Sequence, residues 1–343
     1  MNIQAAIAQL VTGQHLTQDW ARSVMEQIMS GQATEAQIGA YLIALRMKGE
    51  TVDEITGSAQ AMRAQAVSIA VPGTVVDTCG TGGDGAGTFN ISTTAAFVVA
   101  AQGVVVAKHG NRALSSKSGS ADLLTALGVN IDAELPVVQR CLAEVGIGFL
   151  FAPRHHSAMR YVAGPRRELA VRTLFNLLGP LTNPANAAFQ LVGLFADHWL
   201  EPVAHVLGRL GVHHALVVHG ADGLDEITTT GPTRIAELDE KGRVTTYTVK
   251  PEQFGLARAT LADLRGGDAA ANAVITRQVL DGVRGKARDI VLLNAGAALY
   301  AARRAETLAS GVAMAGAAID SGQARRCLEQ LIVVSNQSSP SMP

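Results

Sequence analysis

After about residue 70 the chain changes character: short β-branched runs, apolar on both faces, begin to alternate with helical stretches. The runs are VVDT (75–78), VVVAK (104–108), GIGFLFA (146–152), QLVGLF (190–195) and ALVVHG (215–220). Strands that are apolar on both sides belong in a parallel sheet covered by helices on each face, which in turn demands right-handed βαβ crossovers. The break falls at Val71-Pro72-Gly73.

The segment before that break is helical in pattern. Apolar residues recur three and four apart at Ile3, Ile7 and Leu10, at Trp20, Val24 and Ile28, and at Ile38, Leu42 and Leu45, the spacing that builds one apolar helix face. Thr34 with Gln37 and Thr51 with Glu54 match the capping box, in which side chain and backbone satisfy each other at a helix start. The expected organisation is α/β. A small N-terminal helical domain spans residues 1–70, and a larger α/β domain with a mainly parallel sheet spans 71–343. A helical stretch near 166–184, containing NLLGPLTNP, interrupts the strand pattern and is expected to return to the first helices.

Composition narrows the function. With 28 basic and 29 acidic residues and a formal charge of −1, no global positive field exists to hold nucleic acid or an anionic membrane, so any basic site is local. Cys79, Cys141 and Cys327 form neither a disulfide framework nor a zinc pattern, which fits a reducing compartment. The N-terminal residues lack the basic and apolar regions of a secretory signal. The uncharged stretch Gly85–Ala107 carries too many polar residues and glycines to read as a membrane span.

Chemistry concentrates in three places. The densest is Asp77–Thr94, DTCGTGGDGAGTFNISTT, where a strand runs through glycines 80, 82, 83, 85 and 87 into a helix start near Ser92. Glycines let backbone N–H groups approach an anion, and the helix start adds unpaired donors and partial positive charge. Ser92 and Thr93 add hydroxyls. A dinucleotide site fits less well, because the acidic partner it needs about 20 residues on is replaced by Lys108-His109. The second place is Lys108–Asp122, KHGNRALSSKSGSAD, at the strand edge where ligands of open α/β sheets gather. Its cations Lys108, Arg112 and Lys117, with several serines, suit a diphosphate or a ribose phosphate; the plainer reading is a solvated loop. The third is Asp225-Glu226, after the strand 215–220. Adjacent carboxylates among hydroxyls suit Mg²⁺, which binds through one or two carboxylates plus substrate phosphates; the plainer reading is two solvated turn acids. Arg166 and Arg167 stand before a helical stretch, where arginine grips a carboxylate or forms a surface salt bridge. His155-His156 read as loop or site-lining residues rather than zinc ligands, since neighbours diverge on a helix and no third ligand is near.

GTGGD at 80–84, NIST at 90–93, KHGNR at 108–112, SSKSGSAD at 115–122, RTLFNLLGPLTNP at 172–184 and DE at 225–226 together resemble the anthranilate phosphoribosyltransferase family across nearly the whole chain. The resemblance implies a helical domain and an α/β domain with a cleft between them at a flexible joint. It implies transfer of the phosphoribosyl group of 5-phosphoribosyl 1-diphosphate (PRPP) to the amine of anthranilate, a step of tryptophan biosynthesis. On that basis Gly80, Gly83, Asp84, Thr88, Asn90, Ile91, Ser92, Thr93, Lys108, His109, Gly110, Asn111, Arg112, Ala113, Leu114, Ser115, Ser116 and Ser120 hold the ribose diphosphate. Gly80, Asn111 and Arg166 receive anthranilate; Ser92, Asp225 and Glu226 bind Mg²⁺; Lys108, Asp84 and Arg166 are the catalytic set. A cytoplasmic homodimer is also implied, with no nucleic acid and no membrane, while association with an anthranilate synthase subunit is left open. The sequence departs from the pattern at Ser157, where many relatives have proline, and at Gly164-Pro165, where a bulkier residue is common. The alternatives within the same fold are a pyrimidine nucleoside phosphorylase and a non-catalytic nucleic-acid-binding relative, the latter disfavoured by the near-zero charge.

Overall fold

The computed structural model describes residues 2–71, 73–113 and 117–338. Leu114, Ser115 and Ser116, expected to hold ribose diphosphate, lie outside the described residues. Four helices come first: α1 (Ile3–Leu10), α2 (Gln18–Met29), α3 (Glu35–Lys48) and α4 (Val52–Gln65). Both capping boxes read from the sequence are present, at Thr34–Gln37 and Thr51–Glu54. Trp20 departs from the expected apolar face and is 38% exposed. The buried side of α2 runs through Ala21, Val24, Met25 and Ile28, which leaves Trp20 at its margin.

The alternating part follows as β1 (Val75–Gly80), α5 (Ile91–Ala100), β2 (Val105–Gly110), α6 (Ser120–Leu127), α7 (Leu135–Arg140) and β3 (Ile147–Phe151). Three helices then interrupt it: α8 (Ala152–His155), α9 (Arg160–Leu169) and α10 (Phe175–Leu181). The sheet resumes with β4 (Phe189–Gly193), α11 (Leu200–Arg209), β5 (His214–Gly220), β6 (Thr233–Leu238) and β7 (Val244–Val249). Helices α12 (Ala269–Leu280), α13 (Lys286–Ala301), α14 (Leu308–Asp320) and α15 (Gln323–Ser335) complete the described chain.

Strands β1 to β5 fall on the five runs read from the sequence and are mutually parallel. β6 and β7 are absent from that reading and add an antiparallel edge. Their segments, TRIAEL and VTTYTV, are rich in polar residues, and most of β7 is not buried, as suits an edge with one face toward water. The sheet order is β3-β2-β1-β4-β5-β6-β7. Connections therefore run one way from β1 and the other way from β4. A reversal of this kind opens a crevice at the carboxyl ends of the two strands.

Each face of the sheet has its own core. Leu216 and Val218 of β5 join the cluster that contains α5, α13 and α15. Their neighbours Ala215 and Val217 join a second cluster with α1 to α4 and α11, and with Val162, Leu174, Phe175, Leu177, Leu178 and Leu181 from the segment around α9 and α10. This period-two division explains why the strands read as apolar on both sides. Arg63 of α4 fastens the same region, donating to the carbonyls of Leu181 at 2.7 Å and Leu210 at 3.0 Å. Among the described residues no helix is long and apolar enough to cross a membrane.

A charged group is also buried inside the helical bundle. Glu54, fully buried, accepts hydrogen bonds from the N–H of Leu16 at 2.9 Å and of Thr51 at 2.8 Å, and from the Lys48 ammonium at 2.9 Å. Removing one partner of a buried pair leaves the other uncompensated, at about 3–5 kcal/mol. Glu54→Ala is therefore expected to lose about that much stability in urea unfolding; a loss below about 1 kcal/mol, the level of an exposed pair, would mean the bundle does not rely on it.

Candidate active site

Strands β1 and β4 end side by side at the crevice, with Gly80 paired to Gly193. Neither position has room for a side chain. A Cβ on Gly80 would lie 2.2 Å from Asp225 Oδ2, and one on Gly193 would lie 1.6 Å from the Asp225 carbonyl oxygen. The acidic loop that follows β5 thus rests directly on two bare strand ends. Asp225 Oδ2 accepts from the Gly82 N–H at 2.7 Å. Glu226 Oε1 accepts from the Ser92 N–H at 3.1 Å, in the first turn of α5, where the helix dipole favours negative charge. Thr81 secures the other side: its N–H donates to the Gly193 carbonyl at 2.9 Å, and its hydroxyl accepts from the Phe195 N–H at 3.0 Å.

The charges packed here are out of balance. Asp225 and Glu226 are half-buried. Burial raises the pKa of each, and carboxylate neighbours push further in the same direction, Asp84 acting on Asp225 and Asp225 on Glu226. Lys108 is 3% exposed, and its ammonium donates to the Thr78 carbonyl and, at 3.5 Å, to Ser92 Oγ. Burial draws its pKa down against the opposing pull of Asp77, Cys79, Glu226 and Asp225. The Lys108 ammonium thus faces the carboxylates of Asp77, Asp225 and Glu226, with Asp84 beside the last two, a set short of positive charge. No group of three or more His, Cys, Asp and Glu residues among the described residues forms a complete metal cage. A hard cation on these carboxylates would complete its shell with oxygens from water or a ligand.

The second loop leaves β2 beside this cluster. Asp122 organises it, accepting from the N–H groups of Ala113 and Gly119, both at 2.9 Å, and pairing with Arg112 at 3.1 Å. Burial opposes ionisation of Asp122, but those two amides and Arg112 hold its carboxyl below the ordinary range. The Asn111 carbonyl accepts from Ser120 Oγ at 3.3 Å, and Gly110 leaves the space that Ser120 fills, since a Cβ there would lie 2.2 Å from that hydroxyl. Asn90 joins the two loops. Its Nδ2 donates to the Ser118 carbonyl at 3.1 Å, and its Oδ1 accepts from Ser118 Oγ at 3.2 Å and Asn272 Nδ2 at 2.9 Å. Ile91 and Thr93 are buried, so of the two hydroxyls expected at the helix start only that of Ser92 belongs to a residue outside the core. Thr88 bridges to Arg265 at the loop's far end.

Two imidazoles stand behind His109. The rings of His109 and His156 are 5.2 Å apart, and the Nε2 atom of each is buried without a partner among the described residues. His109 Nδ1 contacts the Gly179 carbonyl at 3.3 Å. Burial, then the neighbouring imidazoles, pull His109 down to about 3; burial and His155 pull His156 down to about 4, so both are neutral at physiological pH. His155 instead meets the Val67 carbonyl at 2.7 Å. Arg166, on α9, is half-buried with its guanidinium 5.3 Å from the Phe175 ring centroid. Burial lowers its pKa, and among the described residues it has no carboxylate partner.

Comparisons with known proteins give the family of the chain. The helical bundle domain of a glycosyl transferase family matches residues 4–66, and the a/b domain of the same family matches 72–325. The chain is 58% identical to the anthranilate phosphoribosyltransferase of Paramagnetospirillum magneticum over 97% of its length and 96% of that protein's. It is 59% identical to that of Moorella thermoacetica, covering 96% of this chain and 97% of the relative. The chain belongs to the anthranilate phosphoribosyltransferase family. The crystal structure of the Thermus thermophilus family member superposes with a TM-score of 0.92 at 45% identity, covering 97% of this chain and 99% of that one. The yeast member in complex with PRPP and Mg superposes at 0.88 with 27% identity, covering 97% of each chain.

In this family member several residues outside the expected site hold it in place. Asp77, fully buried, accepts from the His109 N–H at 3.2 Å and from Asn183 Nδ2 at 2.7 Å, and the same Nδ2 reaches the Ala107 carbonyl at 2.8 Å. Asn294 of α13 brackets Ile227, next to Glu226: its Oδ1 accepts the Ile227 N–H and its Nδ2 donates to the Ile227 carbonyl, both at 2.9 Å. Asp77 and Asn183 stand inside motifs visible in the sequence, whereas Asn294 sits in an ordinary helical stretch. The seating on bare strand ends yields a direct test. Gly193→Ala is expected to cost about 1–3 kcal/mol in denaturant unfolding, as forced overpacking does; wild-type stability would show that Asp225 does not depend on that space.

Proposed function

We propose that this chain transfers the 5-phosphoribosyl group from PRPP to the amine of anthranilate, giving N-(5-phosphoribosyl)anthranilate and diphosphate. The observation that carries the reading is the acidic pair seated on Gly80 and Gly193 beside Lys108 and the glycine loop, in a chain 58% and 59% identical to named family members over nearly its whole length. Amides of the loop from Gly80 to Thr88 and of Asn90 to Thr93, with residues 108–113 and Ser120, take the ribose diphosphate. Ser92, Asp225 and Glu226 would hold Mg²⁺, which fits a half-buried carboxylate pair short of positive charge and, when bound, neutralises charge growing on the departing diphosphate.

The chain's own groups supply the rest. Lys108, fixed by Thr78 and Ser92, presents an ammonium whose position needs no reorganisation as the anomeric carbon loses diphosphate. Asp84 adds its carboxylate beside the acidic pair. Arg166, steadied over Phe175 and without a carboxylate of its own, pairs with the carboxylate of anthranilate, while Gly80 and Asn111 line the same acceptor position. An aromatic amine is already unprotonated near pH 7, so orientation rather than a strong base is what the protein contributes. Closure over the bound pair excludes water and spares the diphosphate from hydrolysis. A cytoplasmic homodimer belongs to the same reading.

The decisive assay follows loss of anthranilate fluorescence in the presence of PRPP and Mg²⁺, with each component omitted in turn and nucleoside phosphorolysis measured in parallel. Loss that needs all three components is expected; phosphorolysis without it would move the chain to the phosphorylase class. Arg166→Ala should raise the KM for anthranilate about tenfold or more, the scale of a lost charge-assisted pair, with far less change for PRPP. Equal changes for both substrates would remove Arg166 from the acceptor site. A third expectation concerns pH. Folded-state pKa values of Asp225 and Glu226 lie above the ordinary carboxyl range, so the stability they contribute when protonated is lost as pH rises through those values. The melting temperature of chelator-treated protein should fall as pH climbs from the carboxyl range past neutrality. The Asp225→Asn, Glu226→Gln double variant should lack that slope, and its persistence there would place the titration elsewhere.

A further inference from the structure

Arg172, in the turn between α9 and α10, is exposed and has no part in the site as drawn so far. Three contacts converge on it. Its guanidinium lies 4.3 Å from the ring centroid of Phe195, just past the end of β4. Its Nη2 donates to the carbonyl of Gly83 in the glycine loop. Its own carbonyl accepts from Arg46 Nη1 at 2.6 Å, at the C-terminal end of α3. A single residue thus links the helical bundle, the end of the switch-point strand and the loop that meets phosphate.

That loop needs an outside hold in its middle. Gly82 and Gly83, with φ of +68° and +74°, adopt backbone that only glycine enters without strain, and glycine loses more freedom on ordering than any other residue. The loop's ends are pinned: Gly82 N–H to Asp225 on one side, and the Gly87 carbonyl to the Gly266 N–H on the other. Between them, Asp84 accepts from its own Ala86 N–H and its side chain meets Asp225, Ala86 packs on the core, and Arg172 adds the tie to the Gly83 carbonyl. The hold is directional. In a planar trans peptide the C=O and N–H point to opposite sides, so drawing the Gly83 oxygen to Arg172 turns the Asp84 N–H the other way.

We propose that Arg172 is a positioning residue for the phosphate-binding loop, fixing the Gly83–Asp84 peptide so that its N–H is set for the diphosphate of PRPP. The proposal rests on the transferase reading above for its substrate. Lysine can donate the hydrogen bond but cannot stack as a planar guanidinium does on Phe195, which makes it an informative replacement.

The test is steady-state kinetics with each substrate varied, on wild type, Arg172→Ala, Arg172→Lys and Phe195→Leu, together with hydrogen–deuterium exchange of residues 81–88. Arg172→Ala is expected to raise the KM for PRPP about tenfold, the scale of a lost charged hydrogen bond, with kcat and the KM for anthranilate changed less than about twofold. Lysine and the Phe195 variant should fall between alanine and wild type, and exchange of the loop amides should quicken in the same order. An unchanged KM for PRPP, or equal rises for both substrates, would overturn the proposal. If wild type itself transfers nothing, the transferase reading fails, and exchange of the loop in Arg172→Ala still decides whether Arg172 holds it.

Discussion

The site depends on an absence of atoms. Gly80 and Gly193 end adjacent parallel strands at the reversal of strand order, and the space their missing side chains leave is filled by Asp225. A methyl group at either position would expel the acidic loop from the crevice. With the loop in place, Asp225 takes the N–H that opens the glycine loop and Glu226 takes an N–H at the start of α5. Strand ends, glycine loop and helix start are thereby referred to the same two carboxylates. A reversal of strand order creates a crevice in many α/β sheets; here the paired glycines bring acidic groups into contact with its floor.

Packing carboxylates this closely is costly, and the fold offsets the cost locally. The Ile227 backbone, immediately after the acidic pair, is paired on both polar groups by Asn294, as a neighbouring strand would pair it. Further along, Asp222 accepts from the hydroxyls of Thr228 at 2.6 Å and Thr230, closing the loop on itself. A buried backbone group without a partner costs about as much as a lost hydrogen bond, so a loop held at this many points has little freedom to relax its carboxylates apart. Rigidity therefore preserves the charge imbalance that a cation would relieve.

Much of this was readable in the sequence because it rests on short-range rules. The capping boxes at Thr34 and Thr51, the strands from 75 to 220 and the grouping of glycines before a helix start each follow from local chemistry. What escaped lies in long-range geometry. The edge strands β6 and β7 carry mixed polar patterns that local reading does not separate from loop. Arg172 lay within a quoted motif, yet nothing in RTLFNLLGPLTNP says that its guanidinium meets Gly83, 89 residues earlier in the chain. Asn294 had no motif at all, and its pairing with Ile227 spans 67 residues.

The two cores also limit how the molecule closes over a substrate. The first four helices do not meet the sheet through a thin interface. Val24, Ile28 and Leu42 share one cluster with Leu178 and Leu181 of α10, Val203 and Leu207 of α11, and Val217 of β5. A wide swing of the bundle would separate these side chains and expose them, and close-packed interiors do not deform continuously. Small shear at the rim is the motion compatible with such a core. Contacts at that rim are polar and lie near the site: Arg46 on the Arg172 carbonyl, Arg172 on Gly83, and the Val67 N–H on the His155 carbonyl at 2.9 Å. Arg46 of α3 and the glycine loop are therefore joined at this rim through Arg172, alongside the apolar core to which α3 itself contributes Leu42.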